Sequence, residues 1–305
     1  MTLKIGILSR LSFGYSVERL REACYRRGHR VRVLDTLQLS PAVGQGAPLL
    51  YRNKPLSRFD AVIARIGPSV SSYGTAVVEQ FEHAGVATLP NARAIRVCRD
   101  KFRALQVLSR HGLPVPATVL VRDRAGVRAA VAAVGGVPVI LKPVEGSQGT
   151  GVILAETTRL AEAVVETLLL ARKGVLVQHF VKESRGRDLR VLVVGARVVA
   201  SMQRRAAPDE FRSNVHRGGR IEKTQLAPEL VAIAERAASV LGAGVAGVDL
   251  IESRSGPLVL EVNSSPGLEG IERATGADVA SAVLEHLENV VGESRSEVGL
   301  AKAFQ

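Results

Sequence analysis

The sequence contains no tryptophan and few aromatic residues of any kind. Its 305 residues include seven Phe and four Tyr. Proteins that bind single-stranded nucleic acid without sequence preference stack the bases on aromatic side chains. The scarcity of such side chains argues against a stacking platform, and we do not expect nucleic acid as a partner.

Long apolar runs are also missing, and cysteine is rare. No run reaches the roughly 18 residues that would span a bilayer, so no membrane segment is expected. The opening MTLKIGILSR lacks the length and cleavage site of a signal peptide and indicates a buried first strand. Cys24 and Cys98 match no metal-ligand spacing, so we expect reduced core thiols in a cytoplasmic protein.

What is present is a long chain with excess positive charge. A chain of 305 residues can form two or three domains. Its 41 Lys and Arg outnumber 29 Asp and Glu, which gives a net charge of +12. Such a charge favours anionic partners such as nucleotides or acidic peptides. The charges are scattered, so most of them are expected to form an ordinary basic surface.

The first domain is predicted to cover residues 1–95. Residues 3–9, RVRVLD and DAVIARIG have the composition of buried strands, and a helix separates the first two. LLYRNKPL predicts a small hairpin with Asn53 at its turn. No G-x-G-x-x-G follows the first strand, which disfavours dinucleotide binding. We expect a doubly wound α/β unit that supplies scaffold and part of a substrate cleft.

The remaining chain has a different, α+β pattern. We predict one subdomain over residues 96–175, which begins with a helix at 99–112, and a second over residues 176–291. The second contains two strand pairs: DLRVLVVG with RVVASMQRR, joined by Gly195-Ala196, and VAGVDLIE with PLVLEVN. A helix at about 228–241 separates the pairs. The polar residues 292–305 are expected to be a loose tail.

A glycine-rich turn, KPVEGSQGTG, begins at Lys142. Glycines at positions 146, 149 and 151 allow backbone N–H groups to approach a phosphate closely, and Lys142 can neutralise its charge. The motif is not a Walker A loop, because no Gly-Lys-Ser/Thr opens a helix. The alternative is a plain flexible hairpin turn.

Two acidic residues and an amide occur on the last predicted strand pair. Glu261 and Asn263 are two apart and share one face of a strand, and a hairpin can bring Asp249 beside them. Such an all-oxygen set suits Mg²⁺ or Mn²⁺. The alternative is that the carboxylates pair with arginines such as Arg190 or Arg205.

Two polar loops are candidates for substrate binding. In FRSNVHRGG, Arg212 and Arg217 can clamp a phosphate or carboxylate, although a solvated loop would have the same composition. After Asn263, Ser264 or Ser265 is a candidate cap for a helix whose N–H groups could hold a substrate carboxylate. A purely structural cap remains the alternative.

Taken in their order along the chain, the motifs resemble those of the ATP-grasp superfamily and, within it, those of RimK-like ligases. The motifs that carry the resemblance are Lys101, KPVEGSQGTG, VLVQHFVKE, the D-x-R at Asp188, FRSNVHRGG, GVDLI and EVNSSPGLEGIE. The likeness extends over nearly the whole chain through ILSR, DAVIARIG, YGTAVVEQFE and RDKFRALQVLSRHGLPVP. The chain departs from the family at His179, where Glu is usual, at Ala64, and in the segment 36–48.

The resemblance implies a Rossmann-like α/β pre-ATP-grasp domain followed by two α+β ATP-grasp subdomains that hold ATP between them. Gln178 to Val181 would lie beside adenine, Asp188 near the ribose, and the loop 145–151 over the phosphates. Asp249, Glu261 and Asn263 would ligate two Mg²⁺ or Mn²⁺ ions. The implied nucleotide-binding residues are Lys101, Lys142, Glu145, Gly146, Ser147, Gly149, Gly151, Gln178, His179, Phe180, Val181, Asp188, Arg212, Ser213 and Asn214. The candidate substrate-binding residues are Arg65, Asn214, His216, Arg217, Ser264 and Ser265.

The implied reaction is a carboxylate–amine ligation through an acyl phosphate, with Arg205 and Arg212 as candidate catalytic residues. RimK-like ligases add L-glutamate to the C-terminus of an acidic protein, the sixth protein of the small ribosomal subunit. The resemblance of this sequence to them also implies a homo-oligomer, such as a tetramer. One alternative is an ATP-grasp ligase of natural-product biosynthesis with a small-molecule acceptor. Another is a regulator that binds nucleotide or nucleic acid without turnover.

Overall fold

The computed structural model describes residues 1–44, 46–146, 150–170, 174–208, 210–212 and 219–303, with side chains up to residue 293. The strands are β1 (Lys4–Ser9), β2 (Arg30–Leu34), β3 (Leu39–Ser40), β4 (Leu50–Tyr51), β5 (Lys54–Pro55), β6 (Ala61–Arg65), β7 (Ala87–Leu89), β8 (Thr118–Val121), β9 (Val139–Pro143), β10 (Ile153–Ala155), β11 (Val175–His179), β12 (Arg187–Val194), β13 (Arg197–Arg205), β14 (Arg220–Lys223), β15 (Val245–Ser253) and β16 (Gly256–Asn263). The helices are α1 (Tyr15–Arg26), α2 (Ser71–His83), α3 (Ala92–Arg99), α4 (Lys101–Arg110), α5 (Val127–Ala133), α6 (Thr158–Leu169), α7 (Pro228–Val240), α8 (Glu269–Thr275) and α9 (Val279–Ala303).

The N-terminal domain is built on a parallel sheet. Its strand order is β2-β1-β6-β7, and each adjacent pair is parallel. Parallel neighbours need crossover connections, which α1 and α2 supply. The expected α/β unit is thus confirmed. Because parallel strands all end at one edge, Ser9 and Arg65 lie side by side at the carboxyl edge of this sheet.

A small antiparallel sheet, β3-β4-β5, follows β2. Its tight turn is formed by Arg52 and Asn53, both at positive φ (50° and 62°). Two consecutive positive φ values define the type I′ turn of two-residue hairpins, where Asn is favoured. The hairpin predicted at LLYRNKPL, with Asn53 at its turn, is therefore confirmed.

The other two sheets are antiparallel, as the α+β pattern predicted. The central sheet has the order β10-β9-β11-β8 and packs against α5 and α6 with a core of its own. The C-terminal sheet has the order β14-β13-β12-β15-β16. One of its faces packs against α7 and α4, and the other against α8 and α9.

One core joins the N-terminal domain to the C-terminal sheet. It contains Ile5 and Ile7 of β1, Met202 of β13, and Leu284 and Leu287 of α9, all at most 6% exposed. Polar contacts reinforce the junction, because Arg19 of α1 forms ion pairs with acidic residues that follow β16. These two parts of the chain are therefore packed as one unit.

Three local expectations differ from the structure. The helix expected over 99–112 is α4, and it is preceded by α3; Asp100 separates them, because its side chain accepts a hydrogen bond from Arg103 N and caps α4. Strand β14 was not expected. Residues 292–303, for which a loose tail was expected, continue α9, and no proline interrupts them.

Cys24 and Cys98 are buried and unpaired, as predicted. Burial raises the pKa of each thiol to about 12. Within the described residues, no helix combines the length and the hydropathy needed to cross a membrane.

Candidate functional site

A β-bulge sets the register of the two strands that carry the acidic residues. From the turn, β15 and β16 pair in regular register as far as Leu250 and Val259. The register then shifts, and Asp249 lies opposite Glu261, which leaves Leu260 as the extra residue. Without that shift Glu261 would turn to the opposite face, because the side-chain period of a strand is two. The bulge thus places both carboxylates on one face.

Asn263 extends the same face, opposite Gly247. A Cβ atom at Gly247 would come within 2.9 Å of Pro266 Cβ and 3.3 Å of Arg190 Cδ. Glycine is therefore required here for Arg190 and the chain after β16 to approach the strand. The structure brings together the three residues proposed from the sequence as metal ligands.

A second bulge, in β13, determines which arginine lies beside the acidic residues. Leu192 pairs with Ala200 but Val193 pairs with Val198, so one extra residue lies in β13. As a result Arg204, not Arg205, faces Asp188. Arg205, expected as a catalytic residue, lies on the other face of β13, where its Nε donates to Gln203 Oε1 at 2.9 Å. The expectation of Arg205 in the site is corrected to Arg204.

Two arginines hold the buried carboxylates in one network. Arg190 donates to both oxygens of Asp249, with Nη2 at 2.8 Å from Oδ2. Arg204 donates to both oxygens of Asp188 at 2.6 Å and lies 3.1 Å from Asp249 Oδ2. Burial would raise the pKa of Asp249, but Arg190 and Arg204 lower it below its usual value. The arginine pairing left open by the sequence is present, and Asp249 is ionised.

Two lysines connect this face to the glycine-rich turn. Lys101 Nζ lies 3.2 Å from Glu261 Oε1 and donates to the carbonyl of Gly146 at 3.0 Å. Lys142 is 4% exposed at the end of β9. Burial lowers its pKa to about 8, with Lys101 acting in the same direction and Glu261 and Asp249 opposing both. The carboxylates and both lysines therefore share one electrostatic environment.

Part of the glycine-rich turn is described. Gly151 has a φ of +75°, and a Cβ there would lie 3.2 Å from Pro143 Cδ, so position 151 favours glycine sterically and conformationally. Glu145 is exposed at the turn. Ser147 and Gly149 lie outside the described residues, and the phosphate cradle remains a prediction.

Arg212 reaches from the chain after β13 to the end of this turn. Its Nη1 donates to the carbonyl of Val152 at 3.3 Å, and its Nη2 donates to Glu210 Oε2 at 2.8 Å. The hydrogen bond from Arg212 lowers the pKa of Glu210 to about 2. Ser213, Asn214, His216 and Arg217 lie outside the described residues.

The segment expected beside adenine lies at the end of β11. Gln178 is 1% exposed and donates from Nε2 to Thr118 Oγ1 at 2.8 Å. His179 Nδ1 lies 2.9 Å from the carbonyl of Val134, at the C-terminal end of α5. This contact gives His179 a structural partner, while Phe180 and Val181 are buried.

The remaining candidates lie at the carboxyl edge of the N-terminal sheet. Arg65 Nη1 donates to the carbonyl of Pro266 at 2.7 Å, and burial lowers the pKa of Arg65 to about 10. Ser264 is buried, and it lines a small cavity together with Arg65. Neither Ser264 nor Ser265 caps α8. That helix begins at Glu269, and no side chain caps its first turn.

Arg99 and Arg204 also lie at the site, although no sequence motif indicated them, and Arg190 was expected only as an ion-pair partner. Arg99 Nη2 donates to the carbonyl of Ile66 at 3.0 Å, and its buried Nε has no hydrogen-bond partner among the described residues. Arg190 was recognisable, because it stands two residues after Asp188 on the same strand face. Within the described part of the chain, no group of three or more His, Cys, Asp or Glu could hold a metal. The candidate donors are two carboxylates and an amide.

Comparisons with known protein families and sequences find relatives over nearly the whole chain. A family model described as a RimK-like ATP-grasp domain matches residues 98–287, and a RimK PreATP-grasp domain model matches residues 3–95. A probable alpha-L-glutamate ligase of Rhodopirellula baltica is 50% identical over 286 residues, covering 93% of this chain and 71% of the relative. A probable alpha-L-glutamate ligase 1 of Hahella chejuensis is 48% identical over 294 residues, covering 96% and 97%.

Solved structures share the fold. The ATP-grasp ligase PsnB, in complex with a minimal precursor, is similar with a TM-score of 0.74 and 26% identity, covering 95% of this chain and 99% of PsnB. A RimK domain ATP-grasp protein from Sphaerobacter thermophilus has a TM-score of 0.73 and 25% identity, covering 93% and 98%.

Proposed function

Because the chain belongs to the RimK-like ATP-grasp family and is an ATP-dependent ligase, we propose that it joins L-glutamate to the C-terminal carboxylate of an acidic protein or peptide. The observation that carries the proposal is the single cluster formed by Lys101, Lys142, Asp249 and Glu261 between the central and C-terminal sheets. Relatives of about half identity are named probable alpha-L-glutamate ligases. PsnB, a more distant relative, was solved with a precursor peptide.

ATP binding is assigned to the space between the two sheets. Lys142 is a buried cation, and Lys101 holds the carbonyl of Gly146 in the glycine-rich turn. Burial makes a cation costly unless an anion accompanies it, and the phosphates of ATP would be that anion. Arg212, fixed by Glu210, stands at the far end of the turn and would contact the same phosphates.

Asp249, Glu261 and Asn263 form the proposed metal site. Their donors are all oxygens on one strand face, the set that Mg²⁺ or Mn²⁺ prefers. We propose that these three residues would hold two ions, which would partner Asp249 and Glu261 in place of Arg190 and Lys101. A bound ion there would neutralise charge on the phosphates and orient the γ-phosphate.

The reaction has two steps. The acceptor carboxylate attacks the γ-phosphorus of ATP, the bond to ADP breaks, and an acyl phosphate forms. The α-amine of glutamate then attacks the acyl carbon, loses a proton, and phosphate leaves. Both steps develop negative charge on oxygens, which Arg190 and Arg204 can stabilise from a face where water is largely excluded. Arg65 and Ser264, beside this face, are assigned to substrate carboxylates.

The test is mass spectrometry of candidate acceptors after incubation with Mg-ATP and each amino acid, with ADP release followed in parallel. We expect glutamate addition to acidic C-termini, including that of the sixth protein of the small ribosomal subunit. Transfer only to free small molecules would refute the peptide assignment.

Separate substitutions test the assignment of the metal ligands. Asp249→Asn and Glu261→Gln should each reduce ADP release by at least about 100-fold, since each removes a charged ligand. Glu222→Gln, an exposed acid of the same sheet, is the control and should retain activity. Wild-type turnover in either ligand variant would contradict the site.

A further inference from the structure

Four cations form a strip on the N-terminal domain, on the small sheet and the neighbouring edge strand. They are Arg30 and Arg32 of β2, Arg52 of the I′ turn and Lys54 of β5, and all four are exposed. The guanidinium carbons of Arg32 and Arg52 lie 4.9 Å and 5.4 Å from the ring centroid of Tyr51. Tyr51 is 9% exposed, so a fixed ring supports both groups.

The cationic strip forms no ion pair with the part of the chain that the structure describes. Among the described residues, none of its four members has a carboxylate within 4.0 Å. Arginines of α1 and of its C-cap behave differently, since Arg19 pairs with Glu272 and Arg27 with Glu288. Residues 1–95 contain 13 Lys and Arg but only 6 Asp and Glu. A row of cations without carboxylate partners among the described residues, two of them stacked on one ring, indicates an anionic partner.

The strip lies within reach of the proposed acceptor site. Arg32 pairs with Gly6, and Gly6 pairs with Val62, three residues before Arg65 on β6. With about 4.8 Å between strands and about 3.3 Å per residue, the Cα atoms of Arg32 and Arg65 lie on the order of 14 Å apart. An extended peptide covers that distance in roughly four to five residues.

We propose that the cationic strip binds acidic side chains of the acceptor located roughly four to eight residues before its reacting C-terminus. This inference rests on the proposed function and adds a determinant of acceptor choice outside the reacting cleft. A peptide fits better than nucleic acid, because Tyr51 is buried under two guanidinium groups and offers no face for a base.

The test uses the full chain and two peptides of equal length with the same acidic C-terminal residue. One has Glu four to eight residues upstream, and the other has Gln there. We expect Arg32→Gln combined with Arg52→Gln to raise KM for the Glu peptide about fivefold, with kcat and the KM for ATP unchanged. The KM for the Gln peptide should not change. Lysine at both positions should restore most of the loss, because the charge returns.

Arg93→Gln combined with Arg110→Gln is the matched control, since both residues are exposed and the same charge is removed. Equal effects of strip and control variants, or equal effects on both peptides, would overturn the proposal. So would an oligonucleotide that competes with the Glu peptide for the strip at lower concentration.

Binding of the labelled peptides, measured by fluorescence anisotropy without ATP, separates this inference from the proposed function. If wild type extends both peptides and binds them equally, the strip proposal fails alone. If wild type extends neither peptide, the proposed function fails. Anisotropy then tests the strip proposal by itself. Weaker binding of the Glu peptide by the variant with Arg32→Gln and Arg52→Gln supports the proposal, and unchanged binding overturns it.

Discussion

Lys142 carries the least favourable charge among the proposed ATP-binding residues. The side chain is 4% exposed, and its pKa falls from 10.5 to about 8, with burial as the main cause. Below pH 8 the lysine is charged in the folded protein, and its burial then costs stability in full. As pH rises from about 8 towards 10.5, the folded protein loses the proton first, so this cost diminishes.

Bound ATP should reverse that shift. Phosphate oxygens favour the ammonium form, so the pKa of Lys142 rises on binding and a proton is taken up above pH 8. At pH 9 the phosphates of ATP are fully ionised, since they titrate near about 6. Isothermal titration calorimetry in buffers of different ionisation enthalpy should show uptake approaching one proton in wild type. Lys142→Arg, which stays charged, should show none, and equal uptake in both would contradict the assignment.

Gly247 permits the close contacts around Asn263. A Cβ there would meet Pro266 and Arg190 at 2.9 Å and 3.3 Å, and Arg190 is the main partner of Asp249. We expect Gly247→Ala to destabilise the protein by about 1–3 kcal/mol and to reduce kcat by displacing Arg190. Gly267→Ala is the matched control, because a Cβ at Gly267 meets nothing within 4 Å. Urea unfolding and ADP release measure the two effects, and similar results for the two variants would refute the argument.

At the scale of elements, the paired strands could be predicted but their registers could not. Alternation correctly grouped Glu261 with Asn263, and both strand pairs predicted in the second subdomain are present. The two bulges leave no sequence signal, because the extra residues are apolar like their neighbours. Counting from the Gly195-Ala196 turn without a bulge puts Arg205 on the face of Asp188, whereas the actual register puts Arg204 there. Asp100 was similarly missed, because a single capping residue decides where α3 ends and α4 begins.

The bulge in β16 makes a prediction about deletions. Removing Leu260 should leave Asp249 opposite Glu261, because only the unpaired residue is lost. Removing Val262 should turn either Glu261 or Asn263 to the wrong face, whichever way the register adjusts. We expect the Leu260 deletion to keep ADP release within about tenfold of wild type, with a modest loss of stability from the changed twist.

The Val262 deletion should abolish ADP release even where circular dichroism shows a folded protein. Both deletions shorten the same strand by one apolar residue, so each controls for the other. Greater activity in the Val262 deletion than in the Leu260 deletion would show that the register does not determine the site.

At the scale of the whole molecule, the hydrophobic cores group the elements differently from the way the sheets group the strands. The core that contains β1 and α1 also contains residues of β13, α8 and α9. The buried residues in the core of the central sheet, by contrast, all lie between Val121 and Val177. The N-terminal domain and the C-terminal sheet should therefore unfold as one cooperative unit, with the central sheet as a second unit. Resemblance and periodicity predicted three parts, but not which two share a core, since that depends on contacts between distant segments.

Two cavity-forming substitutions distinguish these units. Leu284→Ala, in the shared core, should cost about 2–5 kcal/mol and lower the opening free energy of β1 and β15 amides alike. Val165→Ala, in the core of the central sheet, should lower the opening free energy of β9 and β11 amides while leaving β1 unchanged. Native-state hydrogen exchange measures both sets of amides in one experiment. Mg-ATP should then protect β9 and β11 most, because Lys142 and the glycine-rich turn belong to that unit. If Leu284→Ala affected β15 but not β1, the two parts would not share a cooperative core.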